Sequence, residues 1–466
     1  MTLQDRLDAL RTRKRQQQAL LDAVRAGQIS GVACGESAIA PRPAPVVDRL
    51  ELLRRDFPQA RSVEAQGGRA LLIETRIPVD ATPQQYELPV AFLPLLDEPQ
   101  RLFGFYPDIA PLGEAYDPTR IVFLDTETTG LAGGTGTLAF LIGAGWFERD
   151  AAGRLATFVL EQYLIDDFCH ESAQLALLAE RLAGFDACCT YNGKAFDVPL
   201  LRTRFVMNRL RPTPLSLPNL DLLPFSRRLW RGALPSVSLG TVEREIFGII
   251  REQDIESSLI PSIWLNFAAT GNPTRLASVL HHNAQDIVTL GALLALHARC
   301  ADAAADPAIL RRASECHGLA RWHEARKEWS TAARLVERAL QIGSHSPSEE
   351  DRLLLALARI HKRGGEYERA VETWRSLQSR PMNVRLPALV ELAKHFEHRT
   401  RDIAAARLLI HDCLRQIELE AELRAVTGRA SSGLPTERDL QALRRRLERL
   451  DKKAEKLRAA TRRPAC

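Results

Sequence analysis

The apolar run IVFLDTE ends in two carboxylates, Asp125 and Glu127. In a strand, residues i and i+2 share a face, so both acids project to one side at the strand's carboxyl end. Holding two like charges together is costly unless a cation neutralises them, and hard oxygen donors select Mg²⁺ or Mn²⁺. A third acid, Asp197, stands in TYNGKAFDVPLL, where a strand end carries Asn192 and Gly193 and the next helix opens at Phe196 and Asp197. A fourth, Asp286, closes HHNAQD, with His282 four residues before it and so on nearly the same helical face. Each piece has an ordinary explanation by itself. Asp-x-Glu is common in solvated turns, Asn-Gly makes a plain strand-to-helix turn with Asp197 favoured by the helix dipole, and a lone His is more often a surface or capping residue.

The elements that must position these residues alternate between strand-like and helix-like patterns from about 119 to 300. IVFLD, TGTLAFLIGAGWFE and LATFVLEQYLI read as three strands. A helix (ESAQLALLAERLAG), a strand (DACCTYN), a helix (FDVPLLRTRFVMNRL) and a final helix around HHNAQDIVTLGALLALHAR follow. The predicted order, β-β-β-α-β-α with a terminal helix, is an α/β unit with a mixed sheet flanked by helices, the chain order of a ribonuclease H-like sheet.

Asp-x-Glu, then Asn-x-x-x-Phe-Asp, then His-x-x-x-Asp, in this order and at these separations, resembles the DEDD exonuclease superfamily. Within it, NLDLLPFSRRLW, SVSLGTVEREIFGI, the Asp254-Ile255 pair and the HNAQD end look like the bacterial YprB-type ribonuclease H-like domain, which is often followed by tetratricopeptide-like repeats. The resemblance covers about residues 119 to 300 and, more weakly, the repeats behind them. It implies a 3′ to 5′ exonuclease on single-stranded RNA or DNA, working with two divalent ions. Carried over by position, Asp125 would bridge both ions, Glu127 and Asp286 would complete the first site, and Asp197 would hold the second. The superfamily takes its general base from a Tyr four residues before the last Asp or a His five before it, and here His282 and His281 fill both places. Helical geometry turns i−4 about 40° from Asp286 and i−5 about 140° away, which favours His282. A helix beginning only at Asn283 would favour His281 instead. Asn192 and Phe196 hold the substrate strand or the Asp197 loop. Thr128, Thr129 and Gly130 line the terminal nucleotide through backbone groups, or else form a tight hairpin that needs glycine. Lys194 with Arg202, Arg204, Arg209, Arg227, Arg228 and Arg231 steers phosphates or forms a solvated polar face. Two rival readings use the same residues: a structure-selective endonuclease, and a non-enzymatic repeat scaffold with an inactive nuclease fold.

The 466 residues suffice for roughly three compact units. The expected division is an N-terminal helical or accessory segment over 1–118, the ribonuclease H-like domain over 119–300, tetratricopeptide-like repeats over 305–425 and a basic amphipathic tail helix over 436–466. The repeats rest on Ala332, Val336 and Ala339 recurring as Ala370, Trp374 and Leu377, then as Ala406, Ile410 and Cys413, at spacings of 38 and 36 residues. Leu319-Ala320 and Leu357-Ala358 stand where the small residues of each first helix would fall. Such an all-α region offers a surface to a protein partner. In the tail, Leu440, Leu443, Leu447, Leu450, Ala454 and Leu457 step by 3 and 4. The net charge of +5 is concentrated there: eleven Lys/Arg against five Asp/Glu give the tail +6 and leave −1 for everything before it. A basic tail is read either as a phosphate-attracting appendage or as a solvated helix. No stretch reaches ~18 uninterrupted apolar residues, and the charged start MTLQDRLDALRTRKRQQQ has no apolar run behind it, so a cytoplasmic protein without membrane association is expected. Eight scattered cysteines with no Cys-x-x-Cys pair point to neither a zinc knuckle nor a disulfide framework.

Overall fold

A computed structural model of the chain describes residues 49–80, 90–130, 136–251, 255–310, 312–343, 346–427 and 435–461. Residues 1–48, which open the expected N-terminal helical or accessory segment, and Asp254 lie outside the described residues. The chain divides into two compact units, Met1–Arg227 with Arg231–Ala301, and Arg228–Trp230 with Asp302–Cys466.

Seven strands form one mixed sheet in the first unit: β1 (Arg61–Ala65), β2 (Gly68–Pro78), β3 (Ile121–Thr128), β4 (Ala139–Arg149), β5 (Leu155–Leu164), β6 (Ala187–Thr190) and β7 (Asn219–Asp221). Their spatial order is β1-β2-β5-β4-β3-β6-β7. Pairing is antiparallel from β1 across to β3, and β6 and β7 continue parallel to it. The segment expected as a separate accessory layer therefore extends the sheet, with β2 running beside β5 from Leu71↔Leu164 to Pro78↔Thr157. GRALLIETRIPV has the apolar run of a strand, but nothing in it names the partner.

Alternation along the strands assigns the two faces. Val122, Leu124, Ile142, Ala144, Val159 and Tyr163 pack against Leu175, Leu178 and Leu182 of α1 (Glu171–Leu182) and against Leu201 and Phe205 of α2 (Asp197–Met207). After β7 come α3 (Leu222–Trp230), α4 (Ile260–Thr270) and the long α5 (Leu276–Asp302). α5 lies on the opposite face, over Phe123, Phe147 and Phe158. Two glycines of β4 make its seat: a Cβ on Gly143 would stand 2.0 Å from Ile287 Cδ1, and one on Gly145 2.6 Å from Ile287 Cγ2. Burying Ile287, Leu290 and Leu294 along this contact stabilises by about 1.5–3 kcal/mol each. His297, deeper in α5, is an interior histidine: burial lowers it to about 3, and the hydroxyls of Tyr106 and Ser226 meet its two nitrogens at 2.5 and 3.3 Å.

In the second unit, α6 (Ala313–Ala325), α7 (Trp329–Ile342), α8 (Pro347–Gly364), α9 (Tyr367–Ser376), α10 (Met382–His395) and α11 (Ile403–Thr427) pack consecutively as helical hairpins. All nine residues that define the sequence repeat are buried, as are Leu319, Ala320, Leu357 and Ala358. The tail helix α12 (Glu437–Thr461) is docked in this unit, with Leu443 and Leu450 buried beside Ile410, Cys413 and Ile417 of α11. Three of its cations close on one fully buried carboxylate, Glu397: Arg446 Nη1 donates at 2.9 Å, Arg449 Nη2 at 2.9 Å and Lys453 Nζ at 2.6 Å. The tail helix thus engages Arg446, Arg449 and Lys453 within this unit.

Burial alone would raise the Glu397 carboxyl, but the bonds from Arg449 and Lys453 override it and hold it at about 2. A carboxyl lowered from 4.5 on folding contributes stability that is present above about pH 4.5 and lost as pH falls toward 2. Glu397→Gln should destabilise this unit by about 2 kcal/mol, discounted for the half-exposed cations, and should flatten that acid limb. Amide exchange over 437–461 with undiminished protection in the variant would refute the assignment.

Candidate active site

β3 is fully buried through Leu124 and only partly buried from Asp125 onward, so the acids stand where the strand emerges. Asp125 and Glu127 face α5. Donor atoms of Glu127, His282 and Asp286 all lie within 4.8 Å of one another, with His282 Nε2 3.8 Å from Glu127 Oε1 and 3.7 Å from Asp286 Oδ2. Asp125 stands beside them, its Oδ2 accepting from Asn283 Nδ2 at 2.9 Å. Burial first, then the charges of Asp286, Glu127 and Asp197, hold the Asp125 carboxyl well above the usual range, and the Asn283 bond opposes them. α5 already begins at Leu276, so both histidines sit in regular helix. His281 is exposed and packs on Phe57 with ring centroids 5.5 Å apart, away from the acids.

Asp197 reaches the strand end from the other face. It opens α2, and Thr126, whose side chain alternates away from those of Asp125 and Glu127, donates from Oγ1 to Asp197 Oδ1 at 2.5 Å. Burial raises the Asp197 carboxyl, and the Thr126 bond offsets part of that rise. The loop before it is tightly specified. Asn192 has a positive φ of 67°, and a Cβ on Gly193 would stand 2.5 Å from the Thr190 side chain. Asp221 pins both sides, accepting from the backbone N–H groups of Asn192 at 2.8 Å, Lys194 at 3.2 Å and Leu223 at 3.1 Å. Phe196 is exposed, and Lys194 pairs through its ammonium with Asp108.

Beyond Glu127 a β-bulge breaks the β3–β4 register. Thr128 Oγ1 donates to the Gly130 carbonyl at 2.9 Å, while Thr129 is buried and exchanges bonds with Leu138 at 2.9 and 3.0 Å. Gly130 has no positive φ, and a Cβ there would make only an ordinary 3.5 Å contact with Thr137 Oγ1. The Gly130 backbone is thus in a conformation that other residues also adopt.

Three further side chains, to which the motifs assign no role, complete the arrangement. Asn283, fully buried, accepts from Gln162 Nε2 at 2.9 Å while donating to Asp125, so an amide relay ties β5 to the strand end. Arg251 bonds Glu243 through Nε at 2.5 Å and Nη2 at 2.6 Å, reaches Asp286 through Nη2, and donates from Nη1 to His282 Nδ1 at 3.1 Å. A guanidinium has no acceptor, so His282 Nδ1 accepts and the neutral ring carries its N–H at Nε2. Burial raises the Glu243 carboxyl and the Arg251 pair works against it. Asn283 was accessible from spacing, lying three residues before Asp286 on the same helical face. Nothing local marks Arg251 or Glu243.

Asp125, Glu127 and Asp286 on one face, with Asp197 reaching the same strand end from the other, offer carboxylate oxygens to a hard divalent cation. The crowding around Asp125 makes the same point, since such a group of acids needs positive charge and a single guanidinium supplies only part of it. The residues present fit a hard divalent cation.

The central strands and this acidic edge define a ribonuclease H-like protein. Residues 122–297 match the RNase_H superfamily model RNase_H_2. Over 298 residues the chain is 34% identical to the uncharacterized protein YprB of Bacillus subtilis (strain 168), a match covering 63% of this chain and 68% of that protein. The chain belongs to the YprB family of the ribonuclease H superfamily. A solved family B DNA polymerase from the hyperthermophilic archaeon Pyrobaculum calidifontis aligns with 45% of this chain and 29% of its own length, at 14% identity and a TM-score of 0.29. No helix among the described residues is long and apolar enough to cross a membrane.

Proposed function

We propose that the chain hydrolyses phosphodiester bonds of single-stranded RNA or DNA from the 3′ end. The observation that carries this reading is the meeting of Asp125, Glu127, His282 and Asp286 on one face of the β3 end, with Asp197 coming round from the other. Asp125, central among the acids, is suited to share two divalent ions, Glu127 and Asp286 to hold the first and Asp197 the second. Bound there, the ions would supply an acidified water and stabilise the leaving oxygen. Asn283 orients Asp125, and Arg251 orients Asp286 and His282. His282, with its N–H at Nε2, can hold the attacking water as a donor; to take the water's proton at Nε2 its own proton must first move to Nδ1, which requires Arg251 to leave that nitrogen. Thr128, Thr129 and Gly130 are assigned to the terminal nucleotide, Asn192 and Phe196 to the substrate strand or the Asp197 loop, and the helical repeats to a protein partner of a cytoplasmic enzyme.

The test is the full chain with 5′-labelled RNA and DNA oligonucleotides in Mg²⁺, Mn²⁺ or chelator. One-nucleotide shortening from the 3′ end, dependent on metal, is expected. Internal fragments would favour an endonuclease, and cleavage in chelator would remove the two-ion reading. His282→Gln should slow cleavage about 100-fold or more while His281→Gln keeps it. The reverse pattern would transfer the role to His281.

A further inference from the structure

The cationic side chains that the sequence gathers near the acids have different fates. Arg204 is clamped by Glu171 through Nε at 2.5 Å and Nη2 at 2.6 Å, Arg202 donates to the Leu215 carbonyl at 2.9 Å, and Lys194 pairs with Asp108. Their charge or their donors are already engaged. Arg227 and Arg231 are exposed, and neither side chain makes an ion pair or hydrogen bond with the described residues. They are one helical turn apart at the end of α3 and line a cleft of about 780 Å³ with Tyr191, Asn192, Ser236 and Ser238. Among the described residues, no acidic side chain lines it. Tyr191 donates its hydroxyl to the Val237 carbonyl at 2.9 Å, which fixes the ring in the cleft wall. Asn192 belongs both to this wall and to the loop that runs into Asp197, and Asp221 pins that loop while capping α3.

We propose that this cleft is the binding site for the single strand leading to the carboxylates, with successive phosphates on Arg227 and Arg231 and a base stacked on Tyr191. The substrate class rests on the nuclease reading above. The chemistry is the pairing that single strands require: free cations for the backbone, and a held aromatic face for bases of any identity. Two free guanidinium groups in a concave, acid-free wall have no structural partner to satisfy. Paired arginines such as Arg154 with Asp150, or Arg76 with Glu148, carry no such opportunity.

The experiment measures binding of 5′-fluorescein-labelled U15 and dT15 to the full chain by anisotropy across a salt series, with Ca²⁺ as the divalent ion. Each single-strand phosphate contact contributes about 0.7 to the slope of log K against log salt, so Arg227→Gln with Arg231→Gln should reduce the slope by about 1.4. The charge-matched control, Arg76→Gln with Arg154→Gln, should leave it unchanged. Tyr191→Leu should weaken binding about tenfold to 100-fold, and Tyr191→Phe should retain it. An unchanged slope in the Arg227/Arg231 variant, or an equal fall in the control, overturns the proposal. Binding with the full slope effect but no cleavage in Mg²⁺ or Mn²⁺ defeats the nuclease reading and leaves the cleft standing. Cleavage with an unaltered slope defeats the cleft alone. Equal effects on U15 and dT15 assign the contact to phosphate and stacking, whereas an effect confined to one polymer overturns it.

Discussion

Replacing Asp125 with Asn should remove cleavage and, in chelator, make the protein melt at a higher temperature than the parent. The two effects have one origin. In the free protein the Asp125 carboxylate is buried among Asp286, Glu127 and Asp197, all of which disfavour its charge. The amide keeps the shape, and its oxygen can still accept from Asn283, while the repulsion is gone. A gain on the order of 1–2 kcal/mol is expected, roughly 2–4 °C for each kcal/mol in a unit of this size. In Mg²⁺ or Mn²⁺ the ranking should invert. An ion at 100 times its Kd stabilises the parent by about 2.7 kcal/mol, and the variant has lost the shared ligand. Losing several kcal/mol of transition-state stabilisation should lower the rate on the order of 1,000-fold or more. The pH dependence has a definite sign. A carboxyl raised on folding costs stability above its folded value and costs nothing below its unfolded one. The advantage of Asp125→Asn in chelator should therefore shrink as pH falls toward 3.8. A variant that melts below the parent in chelator, or a parent whose Tm ignores Mn²⁺, would contradict the metal-centre reading.

The parts of this arrangement that were legible in the sequence are those governed by local period. Strand alternation puts Asp125 and Glu127 on one side, and the helical repeat puts His282 on the face of Asp286, while His281 packs on Phe57. The order of the central elements and the buried positions of the repeats depend on the same periodicities. What local pattern does not encode is pairing over distance. β2 carries no signal for β5, and Arg204 looks like a surface residue until Glu171 meets it from another helix. Arg251 is 35 positions from Asp286, in a stretch whose sequence resembles any polar loop, yet it supplies the built-in positive charge of the site. The alternation in FLIGAGW did contain a readable clue: its two glycines fall on the face of Asp125, where a helix can approach closely only if side chains are missing.

That approach underlies the second large effect. Gly143 is the direct partner of Asp125 across the β3–β4 ladder, and Gln162 is the partner of Gly143 on β5, so the three residues form one row beneath α5. A methyl at Gly143 would sit 2.0 Å from Ile287 Cδ1 and 2.5 Å from Asn283 Oδ1. The first obstacle is the end of a flexible side chain. The second is not, because Asn283 is held by Gln162 on one side and by Asp125 on the other. Gly143→Ala must therefore either break this relay or lift the turn of α5 that carries His282, Asn283 and Asp286. Overpacking of this kind costs about 1–3 kcal/mol, but misplacing reacting groups by about 1 Å costs on the order of 100-fold in rate. Cleavage should consequently fall much further than stability. Ile287→Val removes only the first obstacle, since it deletes Cδ1 and leaves Asn283 where it was. The double variant should recover most of the lost Tm and little of the lost rate. Recovery of both together would mean that Ile287 alone sets the height of α5, and that the Gln162–Asn283–Asp125 relay does not position the site.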